Sequence, residues 1–354
     1  MSFFGVTIEK VGFVQEVPDS LYLDMIKPVG KDIQGIVGRG LYKVGDSFLL
    51  IPVDALVPEE LLVKLNLSGK LNGKQKNRVS TRLLRKCLSQ CLPAPMSLLE
   101  GLSDLSTESI TAYLGITKYE PPEVPCQGGV LYPLPFFCKH YDIESCDRFT
   151  DVADYLMDMP VYITEKLEGT NWSISYDVVA DKIYINQRNY TIVEEGAAEN
   201  MYWRAARKQD MITKVKELAK ILQAKNTLSI YGELLGPGIQ GNIYQLKESQ
   251  VFPFDVKMDG VWQEFSMFSK VSTLLDFVTV PRLAVGITLR DWLDGKTVKE
   301  KSTGRSVLNN TIYREGIVIK PMDETYSEIL AGRLFLKQRS PEYLMGNSPE
   351  EAKG

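Results

Sequence analysis

Lys166 stands in the run Glu165-Lys166-Leu167-Glu168-Gly169, just after the apolar residues Val161-Tyr162-Ile163. The pattern predicts a strand that ends at the lysine and passes into a tight turn, with the ammonium presented at the strand end. A lysine held there is a candidate nucleophile, provided its amine can lose a proton. The ordinary lysine pKa is about 10.4, so almost none is neutral at pH 7. A bound divalent cation or neighbouring cationic groups lower that value, whereas carboxylates alone raise it. Alone, such a segment is more often an exposed loop lysine. Its weight comes from four later segments in fixed order: YGELLGPG at 231–238, FPFDVK at 252–257, EGIVIK at 315–320 and LFLKQRS at 334–340.

Nucleotidyl transfer to a lysine needs cations around the phosphate oxygens as pyrophosphate leaves. It also needs a carboxylate to hold a hard metal ion, and a stacking surface for the base. The five segments offer each of these, and in this order they resemble the motifs of the covalent nucleotidyltransferases. That superfamily comprises ATP-dependent DNA ligases, RNA ligases and mRNA capping enzymes. The resemblance implies that Lys166 attacks the α-phosphorus. It implies that Glu165 or the Leu167 backbone holds the base edge, that Glu233 contacts the ribose and that Phe254 stacks on the base. Glu315 would hold the catalytic metal, and Lys320 and Lys337 would face the α-phosphate. Glu168 stands where the superfamily pattern usually has aspartate, a variant that leans toward RNA ligases, and Gly169 permits the turn. Arg188 and Asn189, in NQRN at 186–189, match the second RNA-ligase motif, where an arginine fork suits a ribose hydroxyl or a 5′-phosphate. The last motif of the superfamily often carries two lysines spaced by one residue; here the partner position is Phe335, with Arg333 two residues earlier.

Those motifs need strands to hold them, and the chain offers them. Residues 173–186 read as two strands around a turn at Ala180-Asp181, and 198–225 as helical, with Met211, Val215, Leu218 and Leu222 on one apolar face. Few clean βαβ units occur, so antiparallel sheets flanked by helices fit better than a doubly wound fold. Upstream, VTIEKVGFVQEV, IQGIVGRGLYKV and SFLLIPVDALV read as short strands bounded by Gly, Pro and Asp. After them, residues 61–90 contain eight basic residues and no acidic one: Lys64, Lys70, Lys74, Lys76, Arg78, Arg82, Arg85 and Lys86. The whole chain has a formal net charge of −4, so this segregation suggests a phosphate-tracking surface on a small OB-type barrel. Lys74, Lys76, Arg78, Arg82, Arg85 and Lys86 are its candidate contacts.

The fold class expected is α+β: an N-terminal OB-type β-barrel over 1–116, a Pro- and Gly-rich linker over 117–135, and a nucleotidyltransferase domain over 136–354. This order, with 17 residues after Lys337, resembles the fifth RNA ligase family, which places its OB domain first. The stretches KVGDSFLLIPVDALVP, NRVSTRLLRKCLSQCLPAP and LGITKYEPP carry that nearer likeness, while Lys86-Cys87 stands where an arginine-glycine pair is expected. The family likeness implies an ATP-dependent enzyme using Mg²⁺ or Mn²⁺. It would seal nicks in duplexes with RNA on the 3′-hydroxyl side, through a lysyl-AMP and an adenylated 5′-phosphate. Telling RNA from DNA there would rest on the 2′-hydroxyl. Two other readings remain open: a GTP-dependent capping-type transferase, and a non-catalytic RNA-binding protein on a ligase scaffold.

Composition fits this and excludes other classes. The chain has five cysteines without a CxxC pair and one histidine, His140, so neither a zinc site nor a disulfide framework is expected. For His140 a packing or hydrogen-bonding role is expected ahead of general-base work. No apolar run approaches a membrane span, and Glu9 and Lys10 interrupt the first apolar stretch, so neither a signal peptide nor a membrane partner is expected. An intracellular, cytoplasmic monomer is the expectation.

Overall fold

A computed structural model describes residues 4–120, 130–194 and 200–346. It divides into two compact units. One contains residues 4–120 together with 144–154 and 344–346, and the other contains 130–143 and 155–343. Of the stretch 117–135, residues 121–129 lie outside the described residues, as does Cys126. The flanks of that stretch are strands: Thr117–Lys118 pairs with Ala55–Leu56, and Leu131–Pro133 pairs with Tyr190–Ile192.

The smaller unit is a nearly closed, five-stranded antiparallel barrel of the OB type. Its strands run in the order Gly35–Gly38, Leu23–Pro28, Thr7–Glu16, Ser47–Pro52, Cys91–Ala94. The apolar run Phe48-Leu49-Leu50-Ile51 is buried on both faces of its strand. Phe48 and Leu50 join Val11, Ile26 and Val37 in one cluster. Leu49 and Ile51 face the opposite way and pack with Leu61, Leu62 and Ile110, which helices Glu59–Lys64 and Thr107–Tyr113 supply. Period-two alternation therefore sorts one continuous apolar segment between two cores. The barrel edges approach where the Gln90 N–H donates to the Gln34 carbonyl at 2.7 Å. A Cβ on Gly35 would lie 2.4 Å from Pro93 Cγ, so only glycine fits that seam.

The larger unit has two main antiparallel sheets, beside a two-stranded ribbon of Tyr326–Ser327 with Gly332–Arg333. The first runs Leu131–Pro133, Tyr190–Ile192, Lys182–Asn186, Thr170–Asp177, Thr227–Leu235, Gln250–Met258, Val261–Trp262. Helices Met201–Lys208, Met211–Leu222 and Phe265–Leu274 share a core with it, built around Trp172, Ile174, Ile230 and Val256. Within 198–225 the expected helical stretch is two helices, because Asp210 adopts φ 53° between them. Residues 198 and 199 lie outside the described residues. Asn200 caps the first helix by accepting from the Tyr202 and Trp203 amides. Met211, Val215 and Leu218 are fully buried and Leu222 partly so, as their spacing requires. In the second sheet, four neighbouring strands run Leu336–Arg339, Gly316–Pro321, Pro160–Lys166, Arg282–Thr288. No helix among the described residues is long and apolar enough to cross a membrane.

Candidate active site

Lys166 is the last residue of Pro160–Lys166. In that sheet Tyr162 pairs with Lys320, Thr164 with Val318 and Lys166 with Gly316; across the next ladder Val318 pairs with Lys337 and Gly316 with Arg339. Side chains alternate along a strand, so Lys166, Lys320, Lys337 and Arg339 belong to one face of the sheet. The chain crosses to the other sheet through Leu167-Glu168-Gly169 and continues as Thr170–Asp177. There Asn171 lies opposite Glu233.

Between these elements lies a cleft with a cavity volume of about 180 Å³. Its lining includes Glu165, Lys166, Leu167, Arg188, Glu233, Phe254, Lys320 and Lys337. Eight residues named from sequence therefore converge on one cavity, drawn from positions 165 to 337. Glu315 joins them through the lysine: its Oε1 is 2.6 Å from Lys166 Nζ and 3.5 Å from Arg339 Nε. Glu315 is nearly buried, and its Oε2 accepts no hydrogen bond among the described residues.

Gly169 is constrained by packing rather than by a left-handed turn. A Cβ there would sit 2.4 Å from Leu235 Cδ2, 2.5 Å from the Leu234 carbonyl oxygen and 2.9 Å from Glu233 Cγ. The Gly169 amide also donates to the Glu233 carboxylate. Burial pushes the Glu233 carboxyl up to about 8; Lys166 opposes the rise and Glu315 adds to it. Glu168 is buried and its amide donates to the Tyr244 hydroxyl at 2.7 Å, but Glu168 does not line the cleft. Glu165 borders the cleft while its carboxylate turns to the far face, where Oε2 accepts from the Val307 amide at 2.8 Å. Burial raises the Glu165 carboxyl, against the bonds from Ser306 and Val307. Arg188 lies in the hairpin after Lys182–Asn186 and is paired with Asp142. Asn189 is exposed and outside the cleft lining.

Lys320 is almost fully buried, with Nζ 2.9 Å from Asp255 Oδ2. Burial lowers its pKa and Asp255 opposes that shift. Asp255 also binds Arg333, with Oδ2 2.6 Å from Nη1, and accepts from the Tyr141 hydroxyl. Burial works against its charge, yet Lys320 and Arg333 hold the carboxyl down at about 2. Arg333 is thus occupied by Asp255 and by Glu324. Phe335 packs on Tyr141, ring centroids 5.2 Å apart. The cation spaced by one residue from Lys337 on its own face is instead Arg339. Its signal was the alternation in Leu-Lys-Gln-Arg, which the motif spacing centred on Phe335 hid. Asp255 and Tyr141 carry no such signal in the sequence, because only the fold brings 141, 255 and 333 together.

His140 lines the cleft, with Nε2 3.3 Å from Ser173 Oγ and its ring edge-on to Tyr231 at 5.2 Å. Burial brings the imidazole down to about 4; the side chain of Asn171 opposes this and Arg188 adds to it. Neutral imidazole at physiological pH fits the expected packing and hydrogen-bonding role.

In the smaller unit, Arg85 and Lys86 both have positive φ, 50° and 64°, and form the two-residue turn between Arg82–Leu84 and Cys87–Ser89. Arg85, Lys86, Lys74 and Lys76 are exposed, and their side chains have no ion-pair partner among the described residues. Arg78 differs: Nη2 is 2.6 Å from Asp54 Oδ1, and its guanidinium lies 3.8 Å from the Tyr119 ring centroid. Arg82 Nη1 donates to the Lys70 carbonyl at 2.5 Å.

A model of the RNA ligase family matches residues 159–337, which spans half of the chain and includes Lys166, Glu233, Glu315, Lys320 and Lys337. The chain belongs to the RNA ligase family. It is an enzyme of the ligase class. This RNA ligase is similar to solved structures of an RNA ligase from Naegleria gruberi. A point mutant with AMP and manganese superposes with a TM-score of 0.78 at 25% identity, covering 96% of this chain and 97% of that one. Another mutant, with ATP and manganese, gives 0.77 at 25% identity, covering 96% and 98%. The same ligase with pyrophosphate gives 0.78 at 24%, covering 98% of both chains, a likeness of fold. Comparison with curated proteins gave no match.

Proposed function

We propose that this RNA ligase uses ATP to seal 3′-hydroxyl and 5′-phosphate ends, at nicks in duplexes with RNA on the 3′-hydroxyl side, through a lysyl-AMP. The observation that carries the reading is Lys166 at the strand end, 2.6 Å from Glu315, on the sheet face it shares with Lys320, Lys337 and Arg339. The Naegleria ligase structures with ATP, AMP and manganese support the choice of nucleotide and metal.

Neutral Lys166 Nζ attacks the α-phosphorus; an N–P bond forms, the bond to pyrophosphate breaks, and the amine gives up its proton. Lys337 and Lys320 balance charge at the α-phosphate, and Arg339 supports them from the next position on the face. Phe254 supplies the stacking surface and Glu233 the ribose contact. Arg188 leaves Asp142 to bind the incoming 5′-phosphate, whose oxygen then takes AMP from the lysine. Finally the 3′-hydroxyl displaces AMP and the phosphodiester forms.

The metal fits one carboxylate. Among the described residues no group of three or more His, Cys, Asp or Glu gathers as a ligand set. Glu315 nevertheless offers a buried oxygen without a hydrogen bond. Mg²⁺-type ions are often bound by one or two carboxylates plus substrate phosphates and water. A Mg²⁺ or Mn²⁺ held there would neutralise phosphate charge and compete with Lys166 for the Glu315 carboxylate.

Residues 4–120 are proposed as the part that binds the duplex, through Lys74, Lys76, Arg85 and Lys86. The test is sealing of a nicked duplex whose 3′-hydroxyl strand ends in RNA, with ATP and Mn²⁺. Sealing that fails with a DNA 3′-end is expected. Equal sealing of both would remove the RNA preference, and sealing with GTP in place of ATP would favour a different nucleotide.

A further inference from the structure

The nucleophile's backbone is held on both sides by groups that do not reach the cleft. Before Lys166, the Glu165 carboxylate accepts from the Val307 amide at 2.8 Å. After it, the strand ladder has ended and the Glu168 amide would be orphaned, a costly state for a buried donor. The Tyr244 hydroxyl takes that bond at 2.7 Å. Tyr244 is 4% exposed, and its ring packs with Leu167, Leu235, Phe252 and Val280. The two holding segments are tied to each other, since Asn309 Nδ2 donates to the Ile243 carbonyl at 3.0 Å. On the opposite side of the turn the Gly169 amide bonds Glu233.

We propose that Tyr244 is a positioning residue for Lys166: its hydroxyl fixes the turn after the nucleophile, and so sets where Nζ stands relative to the α-phosphorus. The proposal rests on the ligase reading. Attack needs the reacting atoms about 3–3.5 Å apart, and a misplacement of about 1 Å costs on the order of 100-fold. Sealing of a strand that already carries AMP needs no attack by Lys166. A residue that sets the lysine's position therefore affects labelling of the lysine and spares sealing of the pre-adenylated strand, whereas a residue that only fills the core affects both reactions.

The experiment uses the full chain, wild type and Tyr244→Phe. Each takes α-labelled ATP with Mn²⁺ in single-turnover labelling of the protein, and each seals a pre-adenylated nicked duplex. The labelling rate constant of the variant is expected to fall about 10- to 100-fold. Half-saturating ATP and pre-adenylated sealing are expected to stay within about twofold. An unchanged labelling rate, or equal losses in both reactions, would overturn the proposal. If Tyr244→Phe does not fold, Asn309→Ala loosens the same segment. It should slow labelling about threefold without slowing pre-adenylated sealing, and an equal loss or none overturns the proposal equally. A wild-type chain that takes no label would overturn the ligase reading itself, and labelled wild type separates the two failures.

Discussion

Lys166 and Glu315 form the contact on which the proposed chemistry turns, and each makes a separable prediction. Glu315 lies 2.6 Å from the lysine with one oxygen open to a cation, so it should matter beyond the lysine's own step. Glu315→Ala is expected to lower both protein labelling by ATP and sealing of a pre-adenylated nick by about 100-fold or more. Full activity at saturating Mn²⁺ would remove Glu315 from the metal site. His140 is the one histidine, so its ring can be followed by NMR without assignment. Its pKa is pushed down to about 4 from an ordinary value of about 6.5. The folded state thus binds this proton less readily than the unfolded chain. Stability from this group is complete above pH 6.5 and is lost as pH falls toward 4. The imidazole resonance should titrate near 4 in the folded protein; a midpoint near 6.5 would contradict the buried, neutral ring.

At the scale of elements, two strands and the crossing between them set the lysine against Glu233. Gly169 is the tightest point, because a methyl there would collide with Leu235, the Leu234 carbonyl and Glu233. Gly169→Ala should destabilise the fold by about 1–3 kcal/mol in denaturant unfolding and slow labelling as Glu233 and the turn move apart. Wild-type stability and rate would mean that the crossing is slack. Strand position was legible in sequence: Val161-Tyr162-Ile163 marks the strand, and the motif order brings Lys166, Glu233, Phe254, Lys320 and Lys337 to one cleft. Partnerships were not. Nothing local in FPFDVK says that Asp255 binds Lys320, Arg333 and Tyr141, since those partners are 65, 78 and 114 positions away. The same holds for Tyr244, whose bond to Glu168 spans 76 positions. In the helical stretch 198–225, apolar spacing located the buried face but not the break at Asp210, which depends on one φ angle.

For the whole molecule, charge is segregated although the sum is −4. The acid-free run 61–90 reads as one patch in sequence, yet its members differ once folded: Arg78 is committed to Asp54, whereas Arg85 and Lys86 stand at an exposed hairpin tip. Replacing Arg85 and Lys86 with glutamine should flatten the log–log salt dependence of nicked-duplex binding by roughly one unit per lost phosphate contact. Lysine labelling by ATP should not change. An unchanged salt slope would make the hairpin a solvated face and move the duplex contact elsewhere. The proposed chemistry depends throughout on a covalent bond between AMP and Lys166. The most direct test incubates the full chain and Lys166→Ala with α-labelled ATP or GTP and Mn²⁺, then denatures the protein. Label from ATP, absent with GTP, acid-labile and base-stable as a phosphoramidate is, and lost in the variant, is the result predicted. No label on the wild type, or label that persists on Lys166→Ala, would contradict it.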